Sequence, residues 1–417
     1  MLLSKMSSRK TIVKAWRKIM IGPLFVVLAE IALAVLLYRG LPASERMEAI
    51  IFAAAELVFV SLFSFAYLIA ARPRENALSI AIGTTTMTFL CYVVALIPLE
   101  REDRYGIILI AYLVTLVANG AAALTMAKTS NLRVGLLSAG KTAQIIDLIG
   151  HDVIQIQDTR EIGSLDILVV DFLVAHEPKQ AEFIAKAFLS GIDVIHWTKF
   201  LELRKGRVVI EDFFPSQLNY TTYQKIYLHL KRALDIACVV IFLPLTLLAV
   251  AAACAFVYLT DGGPVIFTQD RIGLGGRKFR LFKIRTMTNA DSADAATVQN
   301  DQRIIRGGRF LRRYRIDELP QMFNVLIGDM SIIGCRPEAD FLAERYEPLV
   351  PEYVYRHLVR PGISGWAQVK FRYVNTIDDV RIRTSYDLYY VKNISFELDL
   401  QIAIKTAFTL LLAKGAL

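Results

Sequence analysis

The chain has 417 residues, is 55% apolar and carries a net charge of +9. That length is too great for one ordinary core, and the apolar residues are clumped, so a single soluble domain is excluded and two or three domains are expected. The positive balance suits anionic lipid headgroups or phosphates, and a chain with several membrane runs makes a poor nucleic-acid binder.

Four apolar runs come first, at about 19–38, 49–71, 77–98 and 106–127. Each is close to the ~20 residues that cross a bilayer as a helix. The first starts late, is long and has no small-residue cleavage site, so it is not read as a cleaved leader. Lys5, Arg9, Lys10, Lys14, Arg17 and Lys18 place the N-terminal tail in the cytoplasm, and Arg72 and Arg74 do the same for the second loop. Lys128 and Arg133 bring the chain back to that side. A four-span bundle over 1–130 follows. These runs hold few charges, Glu30 and Glu56, too few for a transport path. Cys91, Cys238 and Cys254 lie in apolar runs and Cys335 stands alone. No pair has zinc spacing, so all four read as packing residues.

Residues 131–217 change character. LRVGLL, VIQIQ, DILVVDF and DVIHW are short runs rich in β-branched residues, with helical stretches between some of them. A small Rossmann-like parallel α/β domain is expected. GLLSAGKT (135–142) matches a phosphate-loop pattern, but Leu136 and Leu137 fill the loop. The run 132–137 reads better as one strand containing Gly135, with SAGKT as a degraded Rossmann turn and Asp158 near the place of a ribose-binding acid. Ligand binding and a purely structural or regulatory role both stay open.

A fifth apolar run, 234–260, follows Lys231 and Arg232. If it crossed, the basic stretch from Arg271 to Arg315 would be exported, which the positive-inside bias resists. Pro244 removes one helical hydrogen bond inside it. A helix that dips in and returns reconciles both facts, with a kinked full span as the alternative.

RRYRIDELPQ (312–321) sets Asp317 and Glu318 beside three Arg residues. Leu319, Met322, Phe323, Leu326 and Ile327 have helical spacing, with Gly328 as the stop. Asp317 is expected to cap that helix, and the helix dipole and Arg residues to keep both carboxylates ionised. A carboxylate so placed is a candidate nucleophile for phosphorus, and a plain helix cap is the bland alternative.

GPVIFTQDRIGLGGRKFRLFKIRTM (263–287), GGRFLRRYRIDELPQMFNVLIGDMSIIGCRPE (307–338), RPGISGWAQV (360–369) and YDLYYVKNISFELDLQI (386–402) resemble successive blocks of the monotopic bacterial phosphoglycosyl transferases. KRALD (231–235) is similar to the start of that family's membrane helix, where Lys231, Arg232, Asp235 and Pro244 take their places. The likeness covers about 220–417. It implies an α-rich catalytic domain over 218–417, anchored by a re-entrant helix at about 232–260 and able to work alone. It implies transfer of a hexose 1-phosphate from a UDP-hexose, glucose or galactose by likeness to the large members, to undecaprenyl phosphate at the start of O-antigen, capsule or exopolysaccharide assembly. Asp317 would be the nucleophile, Glu318 its partner, and both would hold Mg²⁺. Arg312 would bind phosphate, and Arg336 and Pro337 would face the nucleotide, with Cys335 replacing a Pro of the family pattern. Lys283, Arg285, Arg360 and Asp387 are weaker candidates for substrate binding, and Asp399 is a weaker candidate site residue. A homodimer in the bacterial inner membrane, multi-pass with its catalytic face in the cytoplasm, is implied too. The rival reading is an inactive membrane regulator of polysaccharide synthesis with a nucleotide-binding α/β domain.

Overall fold

The computed structural model describes scattered helical positions before residue 105, then residues 105–129, 133–137, 145–146, 153–156, 165–171, 177–288, 303–371 and 376–411. Its contacts divide the chain into two compact units, Met1–Phe200 and Leu201–Leu417.

In the first unit most of the first three apolar runs lies outside the described residues. The fourth is helix α1 (Tyr105–Thr129). Polar side chains tie it to the helical positions described in the second and third runs. Ser61 and Thr115 share a hydrogen bond of 2.9 Å, Asn119 donates to Thr85 Oγ1 at 2.9 Å, and Thr86 meets Tyr112 at 3.0 Å. Such bonds hold helices together where no water competes.

Strands β1 (Val134–Leu137), β2 (Ile154–Ile156), β3 (Ile167–Val170) and β4 (Asp193–His196) form one parallel sheet in the order β2-β1-β3-β4. The central strands β1 and β3 are buried throughout, as a sheet covered on both faces requires. Helix α2 (Pro178–Leu189) buries Phe183 and Ala187 against Leu137, Leu168 and Val170. Gly135 lies inside β1, and a Cβ there would run into Ile156 and Leu165. Its role is close packing. The SAGKT turn and Asp158 lie outside the described residues.

The second unit starts earlier than the 218 expected from sequence. A strap over 201–221 belongs to it. Trp366 donates its indole N–H to Gly206 O at 2.7 Å, and Lys392 donates to Glu202 at 2.7 Å and to Gln217 at 2.9 Å. Val208 and Phe213 share a core with Leu388. After helix α3 (Trp197–Lys205) and the strap comes helix α4 (Thr222–Asp261), opened by a Thr221–Gln224 capping box. Among the described residues α4 alone is long and apolar enough to cross a membrane. It stays helical through Pro244.

One face of α4 is buried along its length, at Tyr227, Lys231, Asp235, Val239, Thr246, Ala253 and Val257. Lys231 and Tyr227 both donate to Asp399, at 2.7 and 2.6 Å. Asp235 accepts from Ser331 Oγ at 2.6 Å and from Ile332 N at 3.2 Å. Arg232 donates to Val325 O and Leu326 O. Val239 packs with Leu281, Val325 and Met330, while Ala253 and Val257 pack with Ile284, Ile305 and Leu311. The opposite face exposes Val240, Ile241, Phe242, Leu245 and Leu248. Cys335 is buried and Cys254 packs half-buried against the Ala253–Val257 cluster, as expected, whereas Cys238 is exposed.

The hairpin β5 (Ile266–Ile272) and β6 (Lys278–Ile284) follows, then α5 (Gly308–Arg313) and α6 (Gln321–Ile327). Strands β7 (Ser331–Ile333) and β8 (Gly362–Ser364) pair in parallel, and α7 (Asp340–Tyr346) lies between them in sequence. Helices α8 (Trp366–Lys370), α9 (Ile377–Lys392) and α10 (Phe396–Leu411) close the unit. Leu398 and Ile402 fix α10 into the main core, while Phe408 near its end is exposed. A Cβ at Gly362 would collide with Gly334 N, Ser364 O and Ile333 C, all backbone atoms of the β7–β8 crossing. Gly362→Ala should therefore cost about 3 kcal/mol or more. Thermal unfolding beside wild type checks this, and an unchanged Tm would contradict it.

Candidate active site

Four short elements build the site. Strand β6 supplies Lys283, α5 supplies Arg312, and the segment after β7 supplies Arg336. Between α5 and α6 the chain reverses at Arg315, whose φ of 53° is the one positive value at a non-glycine among the described residues. Such a backbone is costly for a long side chain and persists only where its surroundings fix it. It starts the 3-10 turn Ile316–Glu318, which buries both carboxylates. Asp317 is thus not the cap of α6, because Pro320 occupies that position. Gly328, left-handed at φ 104°, ends α6 as expected. The apolar positions of α6 are only partly inward. Phe323 and Ile327 are exposed, whereas Gln321, Asn324 and Val325 are buried. Asn324 explains the polar inner face: it accepts from Phe282 N at 3.2 Å and donates to Arg280 O at 2.8 Å, fixing α6 to β6.

The two acidic neighbours have opposite surroundings. Glu318 Oε1 accepts from Lys283 and from Arg336, each at 3.1 Å, and Oε2 accepts from Arg315 at 2.8 Å. Burial alone would raise its carboxyl, but Lys283, Arg336 and Arg315 outweigh burial and hold it well below the usual range. Asp317 has no hydrogen-bond partner among the described residues. Burial pushes it up to about 6, with Glu318 adding to the rise and Lys283, Arg312 and Arg336 opposing it. Burial thus works against the ionised form of Asp317, which the nearby cations favour, and at about 6 the carboxyl is still mostly ionised at neutral pH. Counting nearby charges omitted the cost of taking a carboxylate out of water.

The other sequence candidates spread over the unit. Pro337 O accepts from Arg271 at 3.0 Å. Arg285 pairs with Asp261 and Gly262 O at the end of α4. Arg360 donates to Gly328 O at the end of α6. Asp387 is buried against Arg356 at 2.7 Å. Asp399 holds Lys231, and with Arg232, Asp235 and Pro244 that residue belongs to α4 and its anchoring. Among the described residues none of Arg285, Arg360 and Asp387 pairs with Asp317 or Glu318. Sequence reasoning did not single out Arg315 or Arg271. The first stood inside the quoted Arg cluster. The second is half-buried near Arg336, and desolvation brings its guanidinium down to about 10.

For a divalent cation the pair offers one open carboxylate. Among the described residues no group of three His, Cys, Asp or Glu is placed to hold a metal. Mg²⁺ takes most of its ligands from water and phosphate oxygens. Asp317 fits as a single protein ligand, and Glu318 fits once one of its three cations turns away.

Residues 226–413 match the family model described as bacterial sugar transferase. The chain is 44% identical over 236 residues to the UDP-N-acetylgalactosamine-undecaprenyl-phosphate N-acetylgalactosaminephosphotransferase of Aeromonas hydrophila, covering 56% of each chain. It is 39% identical over 191 residues to the UDP-glucose:undecaprenyl-phosphate glucose-1-phosphate transferase of Escherichia coli K12, covering 45% of this chain and 41% of that one. To the protein of the same name in Caulobacter vibrioides it is 41% identical over 194 residues, covering 45% of this chain and 71% of that one. The aligned part thus spans about half the length of the first two of these relatives.

Proposed function

The chain belongs to the bacterial sugar transferase family, and from that premise we propose that it transfers a hexose 1-phosphate from a UDP-hexose to undecaprenyl phosphate. The observation that carries this reading is the division of labour in the acidic pair: Glu318 saturated by three cations, Asp317 buried and open. A carboxylate Oδ of Asp317 attacks the sugar-bearing phosphorus. The bond from that phosphorus to the bridging oxygen breaks, and UMP leaves with the electron pair. A phosphate oxygen of the lipid then attacks the same phosphorus, and the Asp317–phosphorus bond breaks to restore the carboxylate. Arg312, Arg336 and Lys283 are the cations proposed to meet the diphosphate and offset its charge. Mg²⁺, bound through Asp317 and phosphate oxygens, would supply further neutralisation of the leaving group.

The reading places the chain in the bacterial inner membrane as a multi-pass protein with its site facing the cytoplasm. In support, α4 touches the same unit with both of its arms while its outer face is apolar. A 40-residue helix is about 60 Å long if straight, twice a bilayer core of about 30 Å, so a full crossing would carry Ala253 and Val257 away from Ile284, Ile305 and Leu311 while Val239 stayed against Leu281 and Val325. Shallow entry with return avoids that. Single cysteines at Ser216 and Thr260, in a cysteine-free background, should both react with an impermeant thiol reagent from the cytoplasmic face only. Labelling of Thr260→Cys from the outside alone would show a complete crossing.

The direct test is UMP release by detergent-purified protein given Mg²⁺ and undecaprenyl phosphate. UDP-glucose and UDP-galactose come first, and the Aeromonas relative adds UDP-N-acetylgalactosamine. Sugar-dependent UMP release with a lipid-linked sugar product supports the reading. Silence across the three sugars and their N-acetylated and uronic counterparts would favour the regulator instead.

A further inference from the structure

Every residue of Cys335–Glu338, the segment that carries Arg336, is held by a side chain or backbone from elsewhere. Cys335 Sγ donates to Asp387 O at 3.8 Å, and Cys335 O accepts from Gly362 N at 2.9 Å. Arg336 O accepts from Arg356 Nη2 at 2.8 Å, and Pro337 O accepts from Arg271. Glu338 pairs with Arg383, and its own carbonyl accepts from Ile272 N at 3.2 Å. The one part of the segment that reaches toward the acidic pair is the Arg336 guanidinium, on Glu318.

Arg356 is the centre of this scaffold. It is 2% exposed, as is Asp387. One guanidinium nitrogen serves both Asp387 Oδ2, at 2.7 Å, and Arg336 O, while the other donates to Tyr353 OH at 2.7 Å. The guanidinium also lies 4.7 Å from the centre of the Tyr353 ring. A buried ion pair is weak as a source of stability, because desolvation offsets most of the attraction. Its geometry is what it supplies: a planar fork locked on four sides, pointing at one backbone carbonyl.

We propose that the buried Arg356–Asp387 pair is a positioning device for Arg336, fixing the Cys335–Glu338 segment so that the Arg336 guanidinium meets the diphosphate of the nucleotide sugar. Arg356 and Asp387 themselves touch no substrate. The proposal rests on the UDP-sugar reading above. It gives Asp387 a role through Arg336 in place of the direct substrate contact expected from sequence.

Arg356→Lys tests it. Lysine keeps the charge that Asp387 needs but is a point donor that cannot hold Asp387, Arg336 O and Tyr353 in one plane. KM for the UDP-sugar and kcat are measured for wild type, Arg356→Lys, Arg336→Ala and the double variant, with thermal unfolding of each. The expected result is a KM raised about 10-fold by Arg356→Lys with kcat changed less than about 2-fold, and almost no further rise in the Arg336→Ala background, as coupled residues require. Asp387→Glu should retain more of the wild-type KM than Asp387→Asn. If Arg356→Lys raises KM by the same factor in both backgrounds, or leaves it unchanged, the positioning role is overturned while the UDP-sugar reading stands. If the wild type releases no UMP from any UDP-sugar, that reading falls and this inference with it.

Discussion

Asp317→Asn should abolish UMP release, by at least about 10³-fold in kcat, without lowering stability. Asparagine matches aspartate in size and cannot form the acyl-phosphate linkage. The change leaves the three cations on Glu318 in place, since none of those hydrogen bonds involves Asp317. It also removes a buried negative group beside another, and Glu318 is one of the causes that raise Asp317. Tm should therefore stay level or rise while activity is lost. That combination separates a nucleophile from a structural carboxylate, whose removal lowers both. UMP release and thermal unfolding on the same preparations check it. An Asp317→Asn enzyme as active as wild type would end the nucleophile role.

Cutting the chain at residue 218 should damage the catalytic unit, and cutting it at 201 should not. The sequence expectation was that 218–417 works alone. The structure puts Leu201, Val208 and Phe213 in the core and gives Trp366 its indole partner at Gly206 O. Each buried apolar side chain contributes about 1.5–3 kcal/mol, so losing the strap should cost about 5 kcal/mol, or about 10–20 °C in Tm. Gly206 reinforces the point: its φ is +65°, and a Cβ would press on the Trp366 ring at 2.8 Å. Expressing 201–417 and 218–417 side by side in the same detergent decides it. Equal Tm values would show that the strap is dispensable.

The acidic pair was legible because Asp317, Glu318 and the Arg cluster are neighbours in the chain. The blocks around Lys283 and Arg336 were legible through resemblance. What stayed hidden depends on tertiary geometry. Nothing in RRYRIDELPQ says that Arg315 turns left-handed and closes on Glu318, or that burial raises the carboxyl of Asp317. The periodicity of α6 was read correctly, but not which face would be dry, because Asn324 outcompetes Phe323 for the inner side by binding both Phe282 N and Arg280 O. The strap was missed for a different reason. Residues 206–218 have neither helical nor strand periodicity, and their value lies in what they cover. In the first unit the parallel sheet was legible from its β-branched runs, and Gly135 sits inside the first strand as expected.

The measurement that bears most directly on the chemistry is the intact mass of the protein after brief exposure to UDP-sugar and Mg²⁺ without undecaprenyl phosphate. The expected result is an added mass of one hexose phosphate, located on the peptide containing Asp317, absent from Asp317→Asn and discharged when the lipid phosphate is supplied. UMP release that continues only when both substrates are present, with no adduct at any time, would contradict the covalent route and leave direct transfer between the two substrates in its place.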